Sequence, residues 1–152
     1  MKNLFFSIAL ALASFAFVAC DDDVDTTEGS VSSHPAQDAA GTYNGTFLKI
    51  ANSDSTYLEG SVTLQTVDGE PYVALISVTT EDGTYDGSKS QRVNIVSTDR
   101  GFFFGGTAAT IGDGGINGTI GAEQKGQLKA DFYGKVKNGK KTVLTYFYFT
   151  SK

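Results

Sequence analysis

Few side chains in this sequence could do covalent or acid–base chemistry, and their spacing limits what that chemistry is. There is one cysteine, Cys20, and one histidine, His34. A nucleophilic triad needs a base held beside its nucleophile. His34 stands before Pro35 in an acidic, polar stretch, where a solvated linker residue is expected. One His and one Cys cannot make a zinc site. Asp82-Gly83-Thr84-Tyr85-Asp86-Gly87 carries two acids but lacks the alternating oxygen ligands and final Glu of a calcium loop. Gly112-Asp113-Gly114-Gly115 lacks the Lys-Ser/Thr pair of a phosphate loop, and no helix pattern follows it. Paired carboxylates need only meet in space, yet the acids here fall in turns or beside lysines on outward-looking positions. The expectation is a non-enzyme with no cofactor and no metal.

That leaves the thiol of Cys20. Lys2 precedes an apolar run, Leu4 to Val18, broken only by Ser7 and Ser14. Fifteen residues are too few to span a bilayer comfortably as a helix, and the small Ala19 fits a cleavage site. Phe17-Val18-Ala19-Cys20 resembles a bacterial lipobox, in which the chain is cut before the cysteine and lipid is attached to its sulfur. Residues 1–19 then read as a signal peptide and 20–40 as a tether. Cys20-Asp21-Asp22-Asp23 resembles the surface-export signal of Bacteroidota lipoproteins, which implies an anchor in the outer membrane, facing the cell surface or, alternatively, the periplasm. From Asp21 to Ala40 there are six acids and no Lys or Arg. Such a stretch is expected to be extended, self-repelling and lifted off an anionic membrane.

From Gly41 to Lys152 the charges balance, with 11 acids and 11 Lys or Arg. A neutral domain lacks the electrostatic footprint of a nucleic-acid binder. A lone cysteine excludes an internal disulfide. Eighteen glycines, seven tyrosines and eleven phenylalanines point to strands and tight turns. Eight strand-like runs can be read: Thr42–Ile50, Thr56–Val67, Pro71–Thr80, Gln91–Ser97, Phe102–Ile111, Gly115–Ala122, a run from Leu128 to Val136, and Lys141–Thr150. A polar loop is expected from Asp82 to about Lys89. Asn138-Gly139 reads as a type I′ hairpin turn.

Short connections imply antiparallel neighbours. The fold expected over 41–152 is therefore all-β, an eight-stranded antiparallel up-and-down barrel, with an open two-sheet sandwich as the alternative. Closure requires the last strand to pair with the first, bringing Thr145 beside Gly45 and Phe47. Alternation places Leu58, Val62, Leu64, Ile116, Ile120, Leu128 and Phe132 inside, with Phe102 and Phe104 as companions. Of these, Leu58, Val62, Leu64, Phe102, Phe104, Ile116 and Phe132 are the candidate lining of a ligand cavity. Glycines within strands could either leave interior volume or relieve curvature.

Ala40-Gly41-Thr42-Tyr43-Asn44-Gly45-Thr46 resembles the opening of the calycin-like domains of Bacteroidota lipoproteins. The stretch Gly134 to Lys140 and the strand after it resemble their closing hairpin, although the middle of the chain has no counterpart of their Gly-Asp-Ile segment. The resemblance implies a lipocalin-like barrel and supplies no catalytic residues. Two functions follow as expectations. One is binding of a small apolar ligand inside the barrel. The other is a structural or protein-interaction role using the outer face of the first and last strands, because Val143-Leu144-Thr145-Tyr146-Phe147-Tyr148-Phe149 is apolar on both faces and Leu48 and Ile50 point away from Tyr43 and Phe47.

Overall fold

The computed structural model describes residues 31–122 and 126–152. Cys20, Asp21, Asp22 and Asp23 lie outside the described residues. One short helix, α1 (Pro35–Asp38), precedes eight strands: β1 (Gly41–Ala51), β2 (Asp54–Val67), β3 (Glu70–Thr80), β4 (Asp86–Thr98), β5 (Gly101–Gly106), β6 (Ile116–Gly121), β7 (Leu128–Asn138) and β8 (Lys141–Ser151). Each strand pairs antiparallel with the next, and β8 pairs back onto β1. The sheet is a closed ring, an up-and-down barrel and not a sandwich.

Closure occurs in a different register from the one expected. Phe47 lies opposite Phe149, Gly45 opposite Ser151, and Thr145 opposite Ala51. The last hairpin also turns one residue later. Asn138 pairs with Lys141, so Gly139 and Lys140 are the turn residues, and of these only Gly139 has positive φ (61°). A glycine alone at the first central position suits a type II′ turn. Moving the turn by one residue slides the partner strand by two, so side chains keep their faces. The type I′ pattern occurs instead between β1 and β2, where Asn52 (φ 49°) and Ser53 (φ 71°) are both left-handed.

Two strand boundaries differ for physical reasons. β4 begins at Asp86, inside the expected polar loop, because Asp86 and Ser90 pair with Thr79 and Ser77 of β3; residues 86–90 are exposed and show no apolar alternation that would mark the strand. β5 ends at Gly106 although apolar residues continue to Ile111. The connection from Thr107 to Gly115 folds back over one end of the barrel and buries Ile111 there. Its backbone is secured by Gln91, whose Oε1 accepts from Ile111 N at 2.8 Å and whose Nε2 donates to the Gly106 carbonyl.

The opposite end is closed by α1. Pro35 starts the helix at a position that needs no amide donor, and Ala36 and Ala39 are buried in the core. Tyr43 Oη donates to the Ala39 carbonyl at 2.9 Å, and Ser32 N donates to Ser97 Oγ at 3.0 Å. The arm therefore does not remain a tether up to Ala40: residues 35–39 belong to the domain as its stopper. His34 is exposed, with its carbonyl accepting the amides of Gln37 and Asp38.

Between the stoppers the interior is filled. Phe132 and Phe147 stack at 5.0 Å, Phe47 meets Phe149 at 4.6 Å, and Leu64, Ile76, Val93, Ile95, Ile116 and Leu128 complete the core. Burying one such side chain stabilises the fold by about 1.5–3 kcal/mol. The strand glycines make room for these rings. A Cβ on Gly60 would lie 2.8 Å from the Phe47 ring, and one on Gly118 would overlap Phe104. Their missing side chains are occupied volume, not cavity.

Candidate functional site

The seven residues expected to line a ligand cavity all face inward. Leu58, Val62, Leu64, Phe104, Ile116 and Phe132 are buried, and Phe102 is half-buried against them. What they line is a packed core. None of them borders the five hollows at the barrel ends and on the outer surface of β6–β8. The physical reason is the double closure. Ile111 and Tyr85 stop one end of the barrel, and Ala36 and Ala39 the other. Tyr85, at the start of the β4 side of the β3–β4 connection, sets its ring edge-on to Phe132 (5.2 Å) and Phe147 (5.3 Å). Burial, with a smaller contribution from the charge of Asp113, raises the Tyr85 phenol above its ordinary range, so it stays neutral. Gly134 admits it, since a Cβ there would stand 3.1 Å from Tyr85 Oη.

The Tyr85 loop is held by Asp82. Its Oδ1 accepts from Thr80 Oγ1 (2.8 Å) and Thr84 N (3.0 Å); its Oδ2 accepts from Thr84 Oγ1 (2.8 Å) and Lys49 Nζ (2.6 Å). Partial burial opposes ionisation, yet the Lys49 and threonine donors outweigh it and hold the carboxyl well below the usual carboxylate range. Lys49 Nζ also stands 5.9 Å over the Phe147 ring. Both oxygens are thus committed within the protein, and Asp86 is likewise engaged by the Ser88 amide. The acids that invited a calcium comparison serve as loop staples.

The outer surface of the barrel is different. On β8 the residues between the core positions are Leu144, Tyr146 and Tyr148, exposed at 44%, 41% and 47%. Register extends this line sideways. Tyr148 lies beside Leu48, which lies beside Tyr57; Tyr146 lies between Tyr133 and Ile50. Tyr57 is 73% exposed and Tyr133 41%, with the Tyr133 and Tyr146 rings 5.8 Å apart. Seven apolar or aromatic side chains from β7, β8, β1 and β2 thus form one band. At about 200 Å² per full side chain, the five most exposed present on the order of 500 Å². That sits near the top of the roughly 300–600 Å² reached by the largest patch on a typical monomer, which is often functional. Charged residues border it along β7, at Lys129, Asp131 and Lys135. On the far side of the ring, Val96 and Phe103 pair as a smaller exposed spot.

No family model, curated protein or solved structure significantly matches the chain. The outer line of β8 and the contribution of Leu48 and Ile50 follow from two-faced apolar strands in the sequence. Tyr57 and Tyr133 do not, because only strand register brings them to the band.

Proposed function

We propose that this chain is a lipid-anchored bacterial surface lipoprotein, tethered at Cys20 to the outer membrane, whose barrel is a protein-interaction module. The anchor is supported by the lipobox resemblance and the acids that follow it. The eight-stranded ring is the architecture that the calycin-like resemblance implies. The observation that carries the interaction role is the exposed band of Leu48, Ile50, Tyr57, Tyr133, Leu144, Tyr146 and Tyr148. A standard interface covers about 800 Å² on each partner, so the band fits an interface core with its charged border as rim. The partner is a folded protein with an apolar or aromatic face. A small apolar ligand inside the barrel is the weaker reading, since Tyr85 or Ile111 would first have to withdraw.

Site-specific photo-crosslinking on intact cells tests this. A probe at Tyr57 or Tyr148 should give one discrete adduct, lost when Tyr146→Ser is added. A probe at the exposed Thr79 of β3 should give none. Equal adducts at all three positions, or none at any, would remove the interaction role.

A further inference from the structure

The stoppered end of the barrel has an outer hollow that adjoins the interaction band only at Lys135. The β3–β4 connection, the β5–β6 connection and the end of β7 border an open hollow of about 690 Å³ there. A second hollow of about 300 Å³ shares Asp82, Thr84, Val136 and Lys137 with it and extends to Lys49, Val143 and Thr145. Small-molecule sites typically enclose about 300–1,000 Å³. The walls are preset. Asp113 N donates to the Tyr133 carbonyl at 2.7 Å, and a Cβ on Gly134 would stand 3.3 Å from Gly112 Cα, so loop and strand are in close contact.

The charge of this hollow departs from that of the domain. Asp82 is neutralised by Lys49. Lys89, Lys135 and Lys137 remain, against Asp113 and, beside Lys89, Asp86. Among the described residues none of the three lysines forms an ion pair. Thr84, Thr110 and Tyr85 add hydroxyl-bearing lining. Ammonium groups free of an ion pair, Lys135 and Lys137 above all, favour an oxyanion, and neighbouring hydroxyls favour a ligand that carries hydroxyls of its own. An apolar molecule would gain little against such walls.

We propose that the stoppered mouth of the barrel binds a small, hydroxyl-rich oxyanion, a sugar carboxylate or sugar phosphate, with Lys89, Lys135 and Lys137 meeting the anionic group over the Tyr85 loop. The test is an amide-resonance titration of the full chain in detergent micelles with glucuronate, glucose 6-phosphate and neutral glucose. At least one anionic sugar should give saturable shifts at Thr84, Tyr85, Thr110 and Lys137, and glucose should not. Whether carboxylate or phosphate binds more tightly names the anionic group. Lys135→Gln with Lys137→Gln should weaken that affinity at least ten-fold at unchanged melting temperature. Lys140→Gln with Lys141→Gln, on the adjoining turn, should leave it within two-fold. If the first double variant does not fold, Lys89→Gln alone should weaken binding at least three-fold. Equal shifts with glucose, shifts that never saturate, or unchanged affinity in the Lys135 and Lys137 variant would each overturn the proposal.

Discussion

Replacing Asp82 by Asn removes one charge and little volume, and its effect can be worked out in advance. The carboxylate takes four hydrogen bonds, one from Lys49, and the two side chains are 27% and 22% exposed. Exposed ion pairs contribute about 0–1 kcal/mol, and breaking a fully buried one costs about 3–5 kcal/mol. A pair with this exposure falls between, so Asp82→Asn should cost about 2 kcal/mol at pH 7. For a domain of this size that is a fall of roughly 8 °C in Tm. The pH dependence gives the sharper test. The folded carboxyl ionises below its ordinary value of about 3.9, so the unfolded chain binds the proton more readily. The contribution is complete above about pH 5 and is lost as pH falls through the unfolded value toward the folded one. Between pH 5 and pH 3 the wild type should therefore lose about 1 kcal/mol relative to the variant. Urea unfolding followed by circular dichroism at pH 7, 5 and 3 measures both. A stability gap that stays constant across that range would show that the ionised carboxylate does not hold the loop.

Phe132→Ala should cost about 3–5 kcal/mol, since it empties the ring stack with Phe147 and leaves Tyr85 without a floor; denaturant midpoints measure it. Tyr146→Ser with Tyr148→Ser should change stability by less than about 1 kcal/mol, because both are outward residues, and a larger loss in the same melts would mean that the band packs within the chain. Cys20→Ser should release the protein from membranes while the barrel still folds, and continued partitioning into the detergent phase would refute the lipid anchor. Neutralising Asp21, Asp22 and Asp23 should abolish surface exposure but not membrane attachment, as read by protease accessibility on intact cells.

The barrel was legible because β2, β6 and β7 alternate over enough residues to specify which face is inside. Leu58, Val62, Leu64, Ile116, Ile120, Leu128 and Phe132 followed from that alternation alone. Closure followed from short turns, but its register did not, since pairing β8 with β1 is set by the tilt of the whole ring and not by any local residue. Ile111 misled because an apolar residue in a loop and one in a strand look alike without the rest of the fold. Residues 86–90 misled in the opposite sense: a polar strand at the barrel rim carries no hydrophobic pattern. α1 is a single turn, too short for periodicity, although Pro35 before two buried alanines is a trace of it. The candidate sites divide along the same line. Inward residues were identified, but whether they surround space or one another depends on Tyr85, Ile111 and Ala36, which come from connections.

The stopper α1 also lies on the mechanical path between the barrel and the proposed anchor. Tension from the membrane would reach Ser32 and Pro35 before any strand. There it meets the Ser32–Ser97 and Ala39–Tyr43 hydrogen bonds and the burial of three small residues, Pro35, Ala36 and Ala39. Beyond them β1 is held by eleven residue pairs to β2 and seven to β8. Under load the helix should peel away first, lengthening the leash by up to roughly 30 Å as residues 31–40 straighten, while the ring of strands stays intact. The same segment that corks the barrel at rest would act as its shock absorber under such a load.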